Sequence, residues 1–303
     1  MKKKRKKYLV VGGAGFIGSH LTDKLIDLKH KVIVLDNLST GRKESINSKA
    51  KFVKADIRNI KQITPHFKNI DGVFLLAALP RVQYSIEHPA KTNRNNVNGT
   101  LNVLIASQQE KVKRLIYSAS SSAYGDSKKL PLKETLKANP QSPYGLHKFI
   151  GEEYCRIFSE IYGLETVSLR YFNVYGPGAD DKGAYALVFS IFLKQKAKKQ
   201  PLTITGDGTQ TRDFTHVSDV VKANILAMNS KKVGQGEVIN IGAGKNYSIN
   251  QIAKIIGGKI KYITPRIEPH DTLADISLAK KLLNWKPKIR LEQGIKELLK
   301  TYI

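Results

Sequence analysis

An α/β fold with a doubly wound parallel sheet and a second, smaller α/β domain is predicted for this chain from three observations. Short apolar runs alternate with helical patterns through the first half of its 303 residues, which is typical of βαβ units. A glycine-rich turn stands between the first apolar run and the first helical pattern. After residue 173 the alternation becomes irregular, without a clear linker. Because a chain of this length can bury one large core or two unequal ones, we expect the smaller domain to be interleaved with the first.

The elements of the first half follow one another in regular order. Strands are predicted at residues 8–11, 31–36, 52–57, 72–78, 114–120 and 166–171. Helices are predicted at 16–28, 96–109 and 144–162, the last opened by Pro143. Later helices are predicted at 184–198, 217–228, 248–256, 277–283 and 291–302, and later strands at 202–205 and 237–241. We expect residues 1–173, with a returning segment at about 214–242, to form the sheet domain, and 174–213 with 243–303 to form the smaller one.

Basic residues greatly exceed acidic ones, and the formal net charge is +26. The lysines are spread along the chain and are not clustered with aromatic residues, so they indicate a lysine-rich surface and no specific nucleic-acid partner. The positive field would still favour a phosphorylated substrate. We expect no bound metal.

The chain begins with a dense basic run at residues 2–7. The apolar stretch that follows, 8–11, is too short for the core of a signal peptide, and no stretch approaches the roughly 18 apolar residues of a membrane span. The single cysteine, Cys155, excludes an internal disulfide and is compatible with a reducing compartment. We therefore expect a cytoplasmic protein with no membrane partner.

The glycine-rich turn, residues 12–18, has the context that gives such a motif its meaning, between a strand and a helix. Gly12 allows a tight turn, Gly15 lets the backbone approach a pyrophosphate, and Gly18 lets the helix pack against the strand. The helix N-terminus adds free N–H groups and a positive dipole end. The spacing is Gly-x-x-Gly-x-x-Gly, one residue longer in the turn than Gly-x-Gly-x-x-Gly. These features predict a Rossmann-like dinucleotide site.

Acidic residues end the next two strands. Asp36 can accept hydrogen bonds from adenosine ribose hydroxyls and would repel a 2′-phosphate, which favours NAD over NADP. Arg42 and Lys43 lie nearby and leave NADP open. Asp56 is placed to meet the adenine. The alternative interpretation is that both carboxylates are ordinary surface groups at strand ends.

Tyr144 and Lys148 form the candidate catalytic pair, because residues four apart share one face of a helix. A neighbouring ammonium favours the phenolate and lowers the pKa of the tyrosine, which can then act as a general base toward a sugar hydroxyl. The spacing alone is weak evidence, since it occurs by chance in many helices. It gains force because the preceding strand ends in serines 118, 120, 121 and 122, one of which can bridge a substrate oxygen and the phenol.

An ordered series of motifs extends from residue 8 to about 285. They are residues 12–18, 36–41, 56–58, 77–78, 95–100, 120–125, 143–148, 170–177 and 212–214. In these segments the chain resembles the extended short-chain dehydrogenases/reductases of the nucleotide-sugar epimerase/dehydratase family. The resemblance implies an NAD-dependent enzyme acting on a UDP-sugar, and a homodimer built on a four-helix bundle.

The resemblance also implies roles for individual residues. Tyr144 would be the base, Lys148 would hold the nicotinamide ribose, and Ser120 would be the hydroxyl partner. The implied cofactor site comprises Gly12, Gly15, Phe16, Ile17, Gly18, Asp36, Asn37, Asp56, Ile57, Leu76, Ala77, Ala78, Asn95, Tyr144, Lys148 and Tyr171. The implied substrate site comprises Arg81, Ser120, Asn173, Leu187, Val188, Arg212, Arg266 and Thr272. Arginine suits the diphosphate because its fork binds phosphate bidentately, although Arg212 could instead pair with Asp213.

The reaction is predicted from the residues after the catalytic serine. Dehydratases of the family carry an acid pair there, and decarboxylating relatives usually keep a glutamate, whereas this chain has Ser121 and Ser122. Without a nearby carboxyl group, proton abstraction at C5 and loss of water have no evident acid and base. This favours 4-epimerisation through a 4-keto sugar.

The sugar is less strictly indicated. Residues 79–85 resemble the UDP-N-acetylglucosamine branch, and Thr272 stands where glucose-specific relatives tend to have a bulky tyrosine. A small residue there leaves room for an N-acetyl group, or Thr272 simply packs at a strand end. The family's Arg-x-x-Asp/Glu pair appears one residue short, as Arg266 and Glu268. We expect Arg266 to bind substrate nonetheless.

Other interpretations remain open at the level of sequence. The substrate could be UDP-glucose or UDP-glucuronate, and the chain could be a dehydratase or reductase on the same fold. The basic composition also admits a non-catalytic protein that binds NAD or RNA. The dimer helices would be 96–109 and 144–162, yet the apolar residues of the first, such as Val97 and Leu101, suit burial in a core equally well.

Overall fold

The computed structural model describes residues 5–179, 188–264 and 270–302. Its strands are β1 (Lys7–Val11), β2 (Lys31–Asp36), β3 (Lys51–Lys54), β4 (Gly72–Leu75), β5 (Arg114–Ser120), β6 (Glu165–Tyr171), β7 (Val174–Tyr175), β8 (Leu202–Thr205), β9 (Thr211–Asp213), β10 (Thr215–His216), β11 (Gln235–Ile241), β12 (Asn246–Ser248) and β13 (Ile260–Ile263). Its α-helices are α1 (Phe16–Asp27), α2 (Ile60–Ile63), α3 (Val82–Glu87), α4 (Pro89–Asn93), α5 (Gly99–Gln109), α6 (Pro143–Tyr162), α7 (Val188–Ala197), α8 (Val217–Asn229), α9 (Ile249–Ile256), α10 (Ser277–Leu283) and α11 (Leu291–Tyr302).

Seven strands form one parallel sheet in the order β11-β6-β5-β4-β1-β2-β3. The predicted α/β class with a doubly wound sheet is confirmed. Strand β4 ends three residues earlier than expected, because the amides of Leu76 and Ala77 both donate to the carbonyl of Val11 (2.8 and 3.0 Å) and turn the chain toward β1. Strand β3 ends at Lys54 instead of residue 57.

Helices cover both faces of the sheet, and each face buries its own apolar cluster. Helices α1 and α8 pack on one face, where Leu21, Val220 and the strand residue Val10 are inaccessible to solvent. Helices α5 and α6 pack on the other, where Leu104 and Cys155 are buried. The strands are apolar on both faces for this reason, as the continuous Val, Ile and Leu runs predict.

A separate apolar cluster lies in the second half of the chain, among α7, α9, α11 and β8. The division into two domains stays a prediction at the level of its boundaries. Residues 277–285, which that division places in the smaller domain, pack on the sheet: Ala279, Leu283 and Trp285 join the cluster under α8. The Trp285 indole N–H donates to the carbonyl of Asp219 (2.9 Å).

Several short elements escape the sequence pattern, namely helices α2 to α4 and strands β7, β9, β10, β12 and β13, whereas β8 has the predicted limits. Elements this short contain too few residues to show a hydrophobic periodicity in the sequence. The helix predicted at residues 96–109 is observed as a π-helical turn at Arg94–Asn98 followed by α5. Within the described ranges, no helix is both long and apolar enough to cross a membrane.

Candidate active site

The carboxyl ends of β1, β4 and β5 place most of the predicted site residues at one edge of the sheet. Strand order reverses between β1 and β4, because β1 continues to β2 on one side while β4 leads to β5 on the other. Open α/β sheets bind ligands in the crevice outside such a switch point. The turns that follow these three strands carry the glycine loop, residues 76–81 and the serine cluster, respectively.

The glycine loop is closely packed against its surroundings. Gly12 has φ +84°, a conformation that favours glycine, and a Cβ there would lie 2.5 Å from the amide nitrogen of Ala77. A Cβ on Gly18 would lie 2.2 Å from the carbonyl oxygen of Gly12. Helix α1 begins at Phe16 with Gly15 as its N-cap and without a side-chain cap, so its first amides are available to an anion.

Asp36 holds the glycine loop as well as facing the site. Its carboxylate accepts hydrogen bonds from the amides of Ala14 (3.0 Å) and Leu38 (2.8 Å). Burial raises the pKa of Asp36, and these two hydrogen bonds oppose that rise. Because each carboxylate oxygen has a second lone pair, the group can still accept hydrogen bonds from a ligand. The loop-shaping role was not anticipated from the sequence.

Asp56 is engaged by a neighbouring cation. Arg58 contacts its carboxylate through Nη2 at 2.6 Å, and Asn37 donates to it at 3.0 Å. The hydrogen bond from Arg58 is the main reason that the pKa of Asp56 falls to about 2. Ile57 is buried beneath Gly99, whose Cβ would lie 2.5 Å from its Cδ1. The adenine role of Asp56 stays a prediction.

Two neighbouring asparagines lie in the π-helical turn that precedes α5. Asn95 and Asn96 are both buried, and Asn96 exchanges hydrogen bonds with the backbone of Leu79 (2.8 and 3.1 Å). Asn96 thus positions residues 76–81, which include Leu76, Ala77, Ala78 and Arg81. Sequence reasoning selected Asn95 and missed Asn96, although the run of asparagines at 95, 96 and 98 marked the segment.

Tyr144 lies at the start of α6, beside the serine cluster. Its amide donates to Oγ of Ser85 (3.0 Å), a buried residue of α3 that sequence reasoning also missed. Ser120 Oγ accepts a hydrogen bond from the amide of Ser122 (3.1 Å) and lies 3.0 Å from its hydroxyl. Burial raises the pKa of Tyr144, while the hydrogen bond with Ser120 and the charge of Arg81 oppose that rise.

Lys148 lies one turn along the same helix and is buried. Its ammonium donates to the carbonyl of Ser118 (2.6 Å) and lies 5.0 Å from the centre of the Tyr117 ring. Burial lowers the pKa of Lys148 to about 8, and the charge of Glu152 opposes that change. The predicted lowering of the Tyr144 pKa by Lys148 is not observed: the net pKa change is upward, because burial outweighs the favourable groups. The structure does bring Ser120, Tyr144 and Lys148 together.

Asn173 and Thr272 are linked to each other. Asn173, with φ 28°, donates through Nδ2 to the carbonyl of Asp213 (3.1 Å) and to the hydroxyl of Thr272 (3.3 Å). Thr272 is buried, and its hydroxyl also accepts from the amide of Asp213 (3.2 Å). These contacts support the packing interpretation of Thr272. Its predicted role beside an N-acetyl group stays untested.

The backbone around Arg212 and Asp213 engages both side chains. The Asp213 carboxylate accepts from three backbone amides, those of Ala243, Gly244 and Ala274 (2.6, 2.9 and 3.1 Å). Arg212 donates to the carbonyls of Thr211 and His270, both at 2.9 Å. Burial raises the pKa of Asp213 to about 6, against the pull of the three amides.

The remaining predicted residues divide into three groups. Val188 begins α7 and packs on the apolar cluster of the second half. Tyr171 is buried in the sheet, where its hydroxyl donates to Asn224 (2.9 Å). Leu187 and Arg266 lie outside the described residues. No group of His, Cys, Asp or Glu suited to a metal ion occurs in the described part of the chain.

The residues present fit a dinucleotide. A side chain at Gly12 or Gly18 would clash with neighbouring backbone atoms, so the loop can pack this tightly only with glycine at both positions. Helix α1 begins directly after the loop, and its uncapped N-terminus therefore lies at the switch point between β1 and β4. Asp36 stands at the end of the adjacent strand β2, and the Ser120–Tyr144–Lys148 group at the end of β5. The fold and site define an α/β enzyme with a dinucleotide-binding cleft.

Comparison with known proteins narrows this class. A profile described as the NAD dependent epimerase/dehydratase family matches residues 8–242. The chain belongs to this family. It is 44% identical to a putative UDP-glucose 4-epimerase of Methanocaldococcus jannaschii, over 96% of both chains.

Two solved structures share the whole fold. The UDP-glucose 4-epimerase of Thermotoga maritima, with UDP-glucose, has a TM-score of 0.93 at 39% identity and covers 97% of both chains. The UDP-N-acetylglucosamine 4-epimerase of Methanobrevibacter ruminantium, in complex with UDP-N-acetylmuramic acid, has a TM-score of 0.93 at 38% identity and covers 98% of both chains.

Proposed function

We propose that this protein is an NAD-dependent 4-epimerase of UDP-sugars. The observation that carries the proposal is that the end of β5 and the turn after it present hydroxyl groups and no carboxylate to Tyr144: Ser120 beside the phenol, with Ser121 and Ser122 in the turn that follows. A dehydratase or decarboxylase needs a carboxyl group at this place. Relatives named as 4-epimerases, similar over nearly the whole chain, support the same reaction.

The proposed mechanism assigns one task to each residue of the group. The glycine loop, Asp36 and Lys148 would hold NAD, which when bound would supply a reversible hydride acceptor for C4 of the sugar. Tyr144 accepts the proton of the 4-hydroxyl when C4 is oxidised and returns a proton when the ketone is reduced from its other face. Ser120 holds the substrate oxygen against the phenol. The sum of the two halves is an isomerisation that consumes neither proton nor cofactor.

The proposed substrates are UDP-N-acetylglucosamine and UDP-glucose, with their 4-epimers. The Thermotoga maritima relative was solved with UDP-glucose, and the Methanobrevibacter ruminantium relative, named a UDP-N-acetylglucosamine 4-epimerase, was solved with UDP-N-acetylmuramic acid. Arg212 is buried and donates through Nη1 to the carbonyls of Thr211 and His270, and its guanidinium is of the type that binds a diphosphate bidentately. UDP-glucuronate is the second candidate, favoured by the charge of Arg81 close to Tyr144.

Purified protein tests the reaction directly. Each of the three UDP-sugars is incubated separately, and the 4-epimers are resolved by NMR without added NADH. We expect interconversion of at least one pair, and a loss of about a hundredfold or more in turnover for Tyr144→Phe. A failure on all three sugars, or the accumulation of a 4-keto-6-deoxy product, would contradict the proposal.

We further propose a homodimer in the cytoplasm. Helix α6 exposes Leu146 near its start and Ile161 and Tyr162 at its end, by 46%, 69% and 54%, and a subunit contact along this helix would cover these apolar side chains. Light scattering after gel filtration tests the dimer, with Ile161→Glu expected to shift it toward monomer. Cell fractionation tests the location, for which the buried thiol of Cys155 is compatible with a reducing compartment.

A further inference from the structure

The edge of the sheet opposite the active site collects lysines from separate parts of the chain. Parallel strands all begin at the same edge, and registers such as Lys7 beside Lys31 and Ile33 beside Lys51 align these beginnings. The turns that enter the strands carry nine exposed lysines, which we name the amino-edge face: Lys29, Lys31, Lys49, Lys51, Lys68, Lys111, Lys113, Lys231 and Lys232.

Few acidic groups balance this face. On the same turns, the carboxylates not held by an arginine are Asp27, Asp71 and Glu110, and Glu237 at the edge accepts hydrogen bonds from the amides of Gly234 and Gln235. Glu165 is paired with Arg114 at 2.6 Å. The face therefore keeps a strong positive excess.

Local structure disfavours several of these lysines. Lys31 begins β2 in register with Lys7, which starts β1 and is not one of the nine, and these like charges repel. Lys29 and Lys111 have φ of 65° and 52°, a left-handed conformation that favours glycine or asparagine. Neither strand pairing nor turn formation accounts for lysine at these places.

We propose that the amino-edge face binds the surface of an anionic phospholipid bilayer. Seven strands about 4.8 Å apart spread the lysines across roughly 29 Å, a broad face complementary to a planar surface. The face consists of lysines, which act as point charges, and the turns that carry them hold no exposed aromatic side chain on which a nucleic-acid base could stack. The exposed Tyr162 stands before β6, whose entering turn carries none of the nine lysines. Such peripheral contact requires no membrane-spanning helix, and it departs from the sequence-based expectation of no membrane partner.

The position of the face is compatible with turnover on a membrane. The glycine loop and Tyr144 lie at the carboxyl ends of the strands, at the opposite edge of the sheet. A molecule docked through its amino edge would keep the active-site cleft open to the aqueous phase, so that soluble substrate could enter while the protein is bound.

Co-sedimentation of the full chain with vesicles tests the proposal. Vesicles of phosphatidylglycerol with phosphatidylcholine are compared with vesicles of phosphatidylcholine alone. We expect binding only to the anionic vesicles, with at least a tenfold loss between 0.1 M and 1 M salt, where the Debye length falls from about 10 Å to about 3 Å.

A matched pair of variants separates the contribution of the amino-edge face to vesicle binding from the contribution of the total positive charge. The face variant carries Lys29→Gln, Lys31→Gln, Lys111→Gln and Lys113→Gln, and we expect at least tenfold weaker vesicle binding. The control variant removes four other exposed lysines of the second half, through K254Q, K259Q, K261Q and K296Q, and should bind like the parent. Circular dichroism establishes that both variants are folded, independently of any enzymatic activity.

Three results would overturn the proposal. The parent protein could ignore anionic vesicles. The two variants could lose binding equally, which would make the effect one of net charge. Duplex or single-stranded nucleic acid could displace the protein from vesicles at equal phosphate concentration, which would assign the face to nucleic acid instead.

Discussion

Replacing Arg170 by methionine should destabilise the protein through a charge left behind in the core. The Arg170 guanidinium donates to both oxygens of Glu152 (2.9 and 2.6 Å), and the two side chains are 4% and 0% exposed. Arg170 also lies over the ring of Tyr124 at 4.5 Å. Burial raises the pKa of Glu152, and the hydrogen bonds of Arg170 are the main opposing influence.

The expected magnitude follows from the loss of one partner of a buried pair, which costs about 3–5 kcal/mol. An unfolding entropy of about 2.1 cal/mol/K per residue gives roughly 0.6 kcal/mol/K for 303 residues. The melting temperature of Arg170→Met should therefore fall by about 5–8 °C. Thermal unfolding followed by circular dichroism at neutral pH measures this shift.

Two further variants make the measurement specific. Arg156 pairs with Glu153 and Glu160 on the exposed side of α6, the helix that also carries Glu152. Arg156→Met should therefore leave the melting temperature unchanged. Adding Glu152→Leu to Arg170→Met should restore part of the loss, because the unpaired charge is then removed. A single Arg170→Met variant that melts within 1 °C of the parent would refute the reasoning.

Three other predictions concern the cofactor cleft. Gly18→Ala places a methyl group against the loop carbonyl, so NAD titration of the stripped protein should show at least tenfold weaker binding. Asp36→Ser removes the charge that repels a 2′-phosphate, and the ratio of NAD to NADP affinity should fall by on the order of tenfold. Glu152→Gln removes the carboxylate that opposes the lowered pKa of Lys148, about 8, so the alkaline fall of kcat/KM should move to lower pH. The sign follows because Lys148 must be protonated to hold the ribose. With a lower pKa, Lys148 loses its proton at a lower pH.

Each of these has its own contrary result. Unaltered NAD binding by Gly18→Ala would mean that α1 can move away from the loop carbonyl without a loss of NAD affinity. An unchanged cofactor ratio in Asp36→Ser would mean that Asp36 serves only the loop amides. Glu153→Gln, on the exposed side of α6, is the control for the pH profile, and equal shifts in both variants would exclude a specific effect on Lys148.

Much of the fold and of the candidate site was predictable because the relevant signals are local. Strands β2 and β5 and helices α10 and α11 have the predicted limits, since continuous apolar runs and helical spacing specify both the element and its ends. The glycine loop and the Tyr144–Lys148 spacing are likewise contained in short segments of the sequence. The serines after β5 indicated the type of reaction.

The contacts between distant segments could not be read in this way. Ser85 holding the amide of Tyr144, Asn96 holding Leu79 and Asp36 holding the glycine loop all join residues far apart in sequence. The upward pKa change of Tyr144 also depends on burial, which no spacing records.

The sequence by itself determined the parallel sheet, the dinucleotide cleft and the hydroxyl chemistry beside Tyr144, because each depends on residue types within one element or turn. Only the tertiary structure decided which carboxylates are already engaged, how deeply Lys148 is buried, and that lysines from separate turns share one edge of the sheet. The physical reason is that desolvation and the sum of charges depend on three-dimensional neighbours, and a parallel sheet brings distant turns to a common edge.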